Sequence, residues 1–170
     1  MKRILLLLAM IFPLWASAGP SSDLQKIMTP QKALATESVP NGYVFVSTQM
    51  DDSDWINLAR QAQRYGFSIV LNGFGESDLN TRQRINQVIR TCCEKAAPTV
   101  VVHPQLFRAY KVTATPTFVI AKNNSGDPGS FSKVTGSMSV QDALGVFYNK
   151  SRIEFVRLAA ARIYRSGENQ

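Results

Sequence analysis

The sequence predicts an α/β domain built on a mixed sheet with helices on both faces. Its element order is βαβα…ββα, with an N-terminal arm before it and a C-terminal helix after it. Three observations carry this. Short runs of β-branched and aromatic residues alternate with helical stripes from Tyr43 onward. The first two runs, "YVFVS" and "FSIVL", are joined by one helix within fewer than thirty residues, which makes them parallel neighbours with a right-handed crossover. The last two, "PTFVIA" and "SFSKVTG", are separated only by "NNSGDPG", a hairpin loop, and so pair antiparallel.

Residues 1–18 read as a secretory signal peptide. Lys2 and Arg3 form the positive region, Ile4 to Trp15 an apolar core interrupted only by Pro13, and Ala16-Ser17-Ala18 a small-x-small cleavage site ahead of Gly19. The apolar run is too short and wrongly flanked for a spanning helix, so cleavage after Ala18 is expected to release the chain into the periplasm. An uncleaved anchor is the rival reading. The remaining residues, 19–170, suffice for one domain with a core. Loss of Lys2 and Arg3 reduces the 19 basic residues to 17 against 12 acidic, an excess of five positive charges. No Lys/Arg run and no aromatic–basic interleaving accompanies that excess. It describes a solvated basic surface, and no nucleic-acid partner is expected. No later apolar run reaches spanning length, so stable membrane insertion after signal cleavage is not expected either.

The stretch 19–42, punctuated by Pro20, Pro30 and Pro40, reads as an N-terminal arm. The domain proper spans 43–150. "YVFVS" is a buried strand bounded by Gly42 and the polar "TQMDD". Asp52 or Ser53 can cap the helix that follows, whose Trp55, Leu58, Ala59 and Ala62 share a face and which Gly66 ends. After "FSIVL" and the loop "NGFGESD" comes a helix starting near Leu79 or Asn80, with Ile85, Val88, Ile89, Cys92 and Ala96 as its stripe and Pro98 as its stop. "TVVV" is a short extended run, and "PQLFRAY" has proline at a helix-start position. Ser139 with Asp142 forms a capping box for "VQDALGVFYNK". The segment 151–170 is a C-terminal helix and tail, from Ile153 to about Arg165, with Ile153, Val156, Ala160 and Ile163 along one side.

Pro116 is the first candidate for function. The spacing Tyr110-x-Val112-x-x-x-Pro116-Thr117 resembles the cis-proline loop of thioredoxin-like proteins. The resemblance implies a cis bond that presents the backbone of Thr115 to an extended peptide; an ordinary trans proline at a strand entry is the alternative. In that fold a redox dithiol sits at the start of the first helix, where the helix dipole lowers a thiol pKa. Here the same place reads Thr48-Gln49-Met50-Asp51-Asp52 and holds no thiol. Met50, Asp51, Asp52, Thr115, Pro116 and Thr117 are therefore candidates for binding a partner, not for dithiol exchange.

The two cysteines, Cys92 and Cys93, are adjacent on a helix, where neighbouring side chains diverge by about 100°. They are packing thiols, a disulfide to another chain, or an oxidised vicinal pair at a distorted helix end. His103, the only histidine, has no acid, base or ligand partner nearby in sequence, and a loop or helix-start role suits it better than catalysis. Gly73-x-Gly75 lacks the rest of a dinucleotide fingerprint and is a turn. No cofactor and no metal is expected.

Four stretches, "VFVSTQM", "IVLNGF", "VHPQLFRAYKV" and "TPTFVIA", together resemble the TrbC family of F-type conjugative transfer systems. The resemblance runs from about Tyr43 to Ala121. The chain departs from the usual family pattern at Asp51, Asn72 and His103. What the resemblance implies is a thioredoxin-like periplasmic factor that helps assemble the conjugative pilus of a type IV secretion system. Its partners would be other periplasmic conjugation proteins, TraW-like ones among them, or pilin itself. A non-catalytic binding or scaffold role is expected. A divergent thiol-disulfide oxidoreductase using Cys92 and Cys93, and a pilin-specific chaperone, are the competing readings.

Overall fold

The apolar run Asn41–Val46 forms β1, buried from Gly42 onward, and lies in the middle of a five-stranded sheet. A strand without polar alternation must be covered on both faces, and this one is. The computed structural model describes residues 40–75, 78–93 and 96–169. The expected signal peptide, 1–18, and the arm up to residue 39 lie outside the described residues. The arm as drawn from sequence is too long by two residues, because Asn41 and Gly42 pair with Ala121 and Ile120 and belong to the central strand.

Beside β1 lie β2 (Ser68–Leu71) and β3 (Val100–Val102) on one side, β4 (Thr117–Ala121) and β5 (Phe131–Thr135) on the other, in the order β3-β2-β1-β4-β5. The first three strands are parallel, with Val44 opposite Ile69 and Val70 opposite Val101. β4 runs antiparallel to both neighbours, Phe118 facing Val44 and Val134.

The helices follow from their apolar spacing and their ends. α1 (Asp52–Tyr65) buries Trp55, Leu58, Ala59, Ala62 and Tyr65 and stops at Gly66, which takes the left-handed conformation (φ 69°) and donates back to Gln63. Its N-cap is Asp51, not Asp52 or Ser53, and no side chain caps it. Asp52 is already helical, and its carboxylate is taken by Arg84. α2 (Asp78–Cys92) ends six residues before Pro98. A disulfide joins Cys92, its last residue, to Cys93, whose N–H still donates to the Ile89 carbonyl at 3.0 Å, so the bridge sits at the helix end, where side chains that diverge by about 100° within a helix can be brought together. Only Val88 of its expected stripe is fully buried, and Ala96 is exposed and outside the helix. α3 (Pro104–Ala109) opens on proline after the N-cap His103. α4 (Val140–Lys150) carries the capping box, with Ser139 Oγ accepting from the Asp142 N–H at 2.9 Å. α5 (Glu154–Glu168) follows at once.

The sheet divides the core in two. One face packs Val44, Val46, Ile69, Leu71, Phe118 and Ile120 against α1, α4, α5 and Val88 of α2. Val156, Ala159 and Ala160 of α5 belong to this layer, and α5 closes onto α1 where Arg64 Nε donates to the Gly167 carbonyl at 2.9 Å. The other face is aromatic: Tyr43, Phe45, Tyr110, Phe107 and Phe131 gather under α3. Phe45 and Phe107 meet edge to face at 4.8 Å. Gly126 of the β4–β5 hairpin has φ 72°, and a Cβ there would fall 2.3 Å from the Ala109 carbonyl oxygen, so this loop packs backbone against backbone on the end of α3.

Burial pushes the Tyr110 phenol up to about 12, and neighbouring Tyr43 adds to the shift. Tyr43 is also raised by burial, opposed by its hydrogen bond to Asn124. Above the ordinary tyrosine value the unfolded chain loses protons that the folded chain keeps, so stability present below about pH 10 is lost as pH rises towards 12. Melting temperature should therefore fall across that window. Tyr110→Phe, which loses its bond to the Asn123 carbonyl (2.8 Å), should melt lower at neutral pH and show a shallower alkaline fall. Equal alkaline slopes for both proteins would show that Tyr110 is not the group responsible.

No helix among the described residues is long and apolar enough to cross a membrane. No cluster of histidine, cysteine or carboxylate side chains among them could hold a metal ion.

Candidate partner-binding site

In open α/β sheets ligands collect beyond the carboxyl ends of the strands. Here the residues after β1 (Ser47, Thr48, Gln49), those after β2 (Asn72, Gly73) and the loop Val112–Thr115 ahead of β4 enclose a crevice of about 440 Å³. Adjoining it, Met50, Pro116 and Met138 line a smaller recess of about 180 Å³ with Asn57 and Gln61 of α1.

The loop that makes the shared wall is held at several points. The Thr115–Pro116 bond is cis. The Gly136 N–H donates to the Pro116 carbonyl at 3.1 Å, and the Thr117 hydroxyl donates to the Ala114 carbonyl at 2.7 Å. Thr117 also shares a hydrogen bond with the Thr135 hydroxyl across the β4–β5 ladder. Thr115 lies ahead of the paired part of β4 and is half-buried, lining the crevice opposite Thr48.

The opposing turn is fixed by one side chain. Arg84, on the second turn of α2, donates through Nε to the Asp52 carboxylate, through one terminal nitrogen to the Thr48 carbonyl and through the other to the Met50 carbonyl. A planar guanidinium serves three acceptors in this way where an ammonium point charge cannot match the fork. The Trp55 indole adds a bond to the Ser47 carbonyl at 3.0 Å. Arg84→Ala should leave the fold intact, since the side chain is about one-third exposed. It should lower stability by ~1–2 kcal/mol and speed amide exchange at Met50 and its neighbours. Arg84→Lys should restore only part of the protection. Unchanged exchange in Arg84→Ala would mean the turn holds without it.

The structure thus brings Met50 and Pro116 into one recess and Thr115 into the crevice beside it. Asp51 is exposed at the N-cap of α1, and Asp52 is exposed but committed to Arg84. Thr117 must be withdrawn from the binding set: its side chain is fully buried between β1 and β5 and serves to hold the loop. Cys92 and Cys93 are joined to each other at the far end of α2. Eight residues separate Cys92 from Arg84, about 12 Å along a helix, so the disulfide is remote from the turn. His103 caps α3, its N–H on the Leu71 carbonyl at 2.9 Å, and its buried Nδ1 has no partner among the described residues. Sequence reasoning missed Arg84, Met138 and Gln61. Nothing in the spacing of Arg84 marks it, and Met138 and Gln61 reach the recess only through tertiary packing. The Gln61 amide oxygen accepts from the Val140 N–H at 2.7 Å, which ties α1 to the start of α4.

A βαβ unit and a ββα unit sharing one sheet, with a cis-proline loop facing the first helix start, define a thioredoxin-like domain whose helix-start turn carries no thiol. The family is more specific. The description "Type-F conjugative transfer system pilin assembly protein" (TrbC_Ftype) matches residues 44–147, and the chain belongs to that family. Among solved structures it is similar to a secreted Mycobacterium tuberculosis disulfide oxidoreductase homologous to E. coli DsbE. That pair shares 11% identity at a TM-score of 0.40, over 74% of this chain and 83% of that one. No curated protein sequence matches the chain.

Proposed function

We propose that this chain is a non-catalytic periplasmic scaffold for assembly of the conjugative pilus, holding an extended segment of a partner protein between the Met50 turn and the Thr115–Pro116 edge. The observation that carries this reading is the convergence of Met50, Met138 and Pro116 on one recess that contains no thiol. Thioether side chains adapt to varied surfaces, and a backbone edge ahead of a strand offers hydrogen bonds to an extended chain. Arg84 holds the turn ready, which lowers the ordering entropy lost on binding. The partners are other periplasmic conjugation proteins, TraW-like ones first and pilin second, and membership of the pilin assembly family supports this choice.

Two measurements test it. Met50→Asp, which sets a charge in the recess, should lose the conjugation proteins that co-purify with the native chain from donor-cell envelopes, while the protein still folds and melts cooperatively at a somewhat lower temperature, since Met50 packs against the core. In an insulin-reduction assay the native protein should show no turnover. Turnover that vanishes in Cys92→Ser would replace the scaffold with a thiol-disulfide oxidoreductase. Undiminished co-purification by a folded Met50→Asp would move the docking surface elsewhere.

A further inference from the structure

A second surface lies away from the cis-proline edge, in the groove between α4 and α5. Its floor is made of small residues, Gly145, Ala160 and Ala161, and its walls of Tyr148 and Tyr164; the cavity measures about 450 Å³. The apolar stripe of α5 faces inward, with Val156 and Ala160 in the core. The outward side nonetheless keeps apolar residues in water. Tyr148, which lines the groove, is 54% exposed, and Leu158 of α5 is 56% exposed.

Gly145 is the most informative residue here. Within a helix, glycine costs about 1 kcal/mol relative to alanine. The molecule's own packing does not demand it, because a Cβ at this position would meet nothing within 4 Å. What glycine does provide is a low floor over which another backbone can approach. The Gly145 carbonyl is already satisfied by the Asn149 side-chain amide at 2.8 Å, so an incoming chain meets no orphaned polar group there. The walls are set in advance as well: Tyr164 stacks on Tyr65 and accepts from the Gln141 amide.

Charge identifies the occupant. Arg165 is exposed and lines the groove, and Lys150 and Arg152 are exposed where α4 ends and leads into α5. Of the three acids on the same two helices, Asp142 is committed to its capping box and Glu168 to Arg64 and Tyr65, and Glu154 is exposed in the first turn of α5. A second copy of this chain would set the same cations face to face. A concave floor of small residues between two helices suits a third helix laying an apolar ridge into it, as amphipathic helices do in hydrophobic grooves. We propose that the α4–α5 groove docks an amphipathic helix of a partner protein, net negative and with apolar residues at helical spacing.

The test is photocrosslinking in donor cells, with benzoylphenylalanine replacing Tyr148 in the full chain and replacing Gln83 on α2 as a control. The expected product, specific to position 148, maps by mass spectrometry to a partner segment of net negative charge with apolar residues at i, i+3 or i+4. Gly145→Leu, which fills the groove and favours helix, should reduce that product about tenfold with no loss of melting temperature, and Arg165→Glu should reduce it similarly. The proposal is overturned by a product with a second copy, with lipid alone, or with a basic or extended segment. It is equally overturned if no product forms, or if the product survives both substitutions in folded protein.

Discussion

Thr115→Arg is expected to abolish pilus assembly and reduce donor mating to background while the protein remains folded, exported and protease-resistant. The residue is half-buried at the mouth of the crevice and stands ahead of the β4 ladder, so a longer side chain can extend into the crevice without breaking a strand pair. Its bulk and charge would then occupy the approach of an extended partner, which is how a binding surface is switched off without unfolding its scaffold. Burial elsewhere is untouched: Thr117 and Phe118, the next side chains in β4, keep their places in the core. Mating efficiency, export and a thermal melt of the purified variant decide the matter. Normal mating by a folded Thr115→Arg would remove the cis-proline edge from the docking surface.

Truncation after Asn149 should act through stability instead. It removes α5, and with it the buried Val156, Ala159 and Ala160, and it uncovers Leu144 and Phe147 of α4. Each large apolar side chain moved from core to water costs roughly 1.5–3 kcal/mol, against a total stability of about 5–15 kcal/mol. The bonds from Arg64 to the Gly167 carbonyl and from Tyr65 to Glu168 go as well. A loss of about 5 kcal/mol lowers Tm by roughly 15 °C, and a marginal domain would not fold at all. If the truncated protein melts normally yet fails to mate, α5 is a docking element and contributes little to the core.

Much of this architecture is legible from sequence because the signals are local. The βαβ crossover, the hairpin loop at "NNSGDPG", the glycine end of α1 and the capping box at Ser139 each depend on residues within a few positions of one another. The site is less legible because its decisive contacts are not local. Arg84 grips Thr48, Met50 and Asp52 from more than thirty residues away, and no periodicity announces that. Thr117 looks like a polar residue at a strand entry. Its burial becomes clear only once β5 sets Thr135 opposite it. The disulfide at the end of α2 is equally hidden, since an apolar stripe continuing to Ala96 says nothing about whether two neighbouring thiols are joined.

The wiring of the sheet also governs when the molecule can become itself. β1 is the first strand among the described residues, yet its place is central, with Tyr43 aligned on Val119 of β4. Tyr65, at the end of the first helix, meets Glu168, 103 residues further on. Contacts of such separation form late, because the intervening chain must first be closed into a loop. A chain emerging from its N-terminus can make the β1–α1–β2 unit, but it cannot cover that unit's open flank until β4 has appeared, nor latch α1 until the last turn of α5 arrives. The β1–α1–β2 unit is therefore incomplete on its own, and tertiary locking waits for α5.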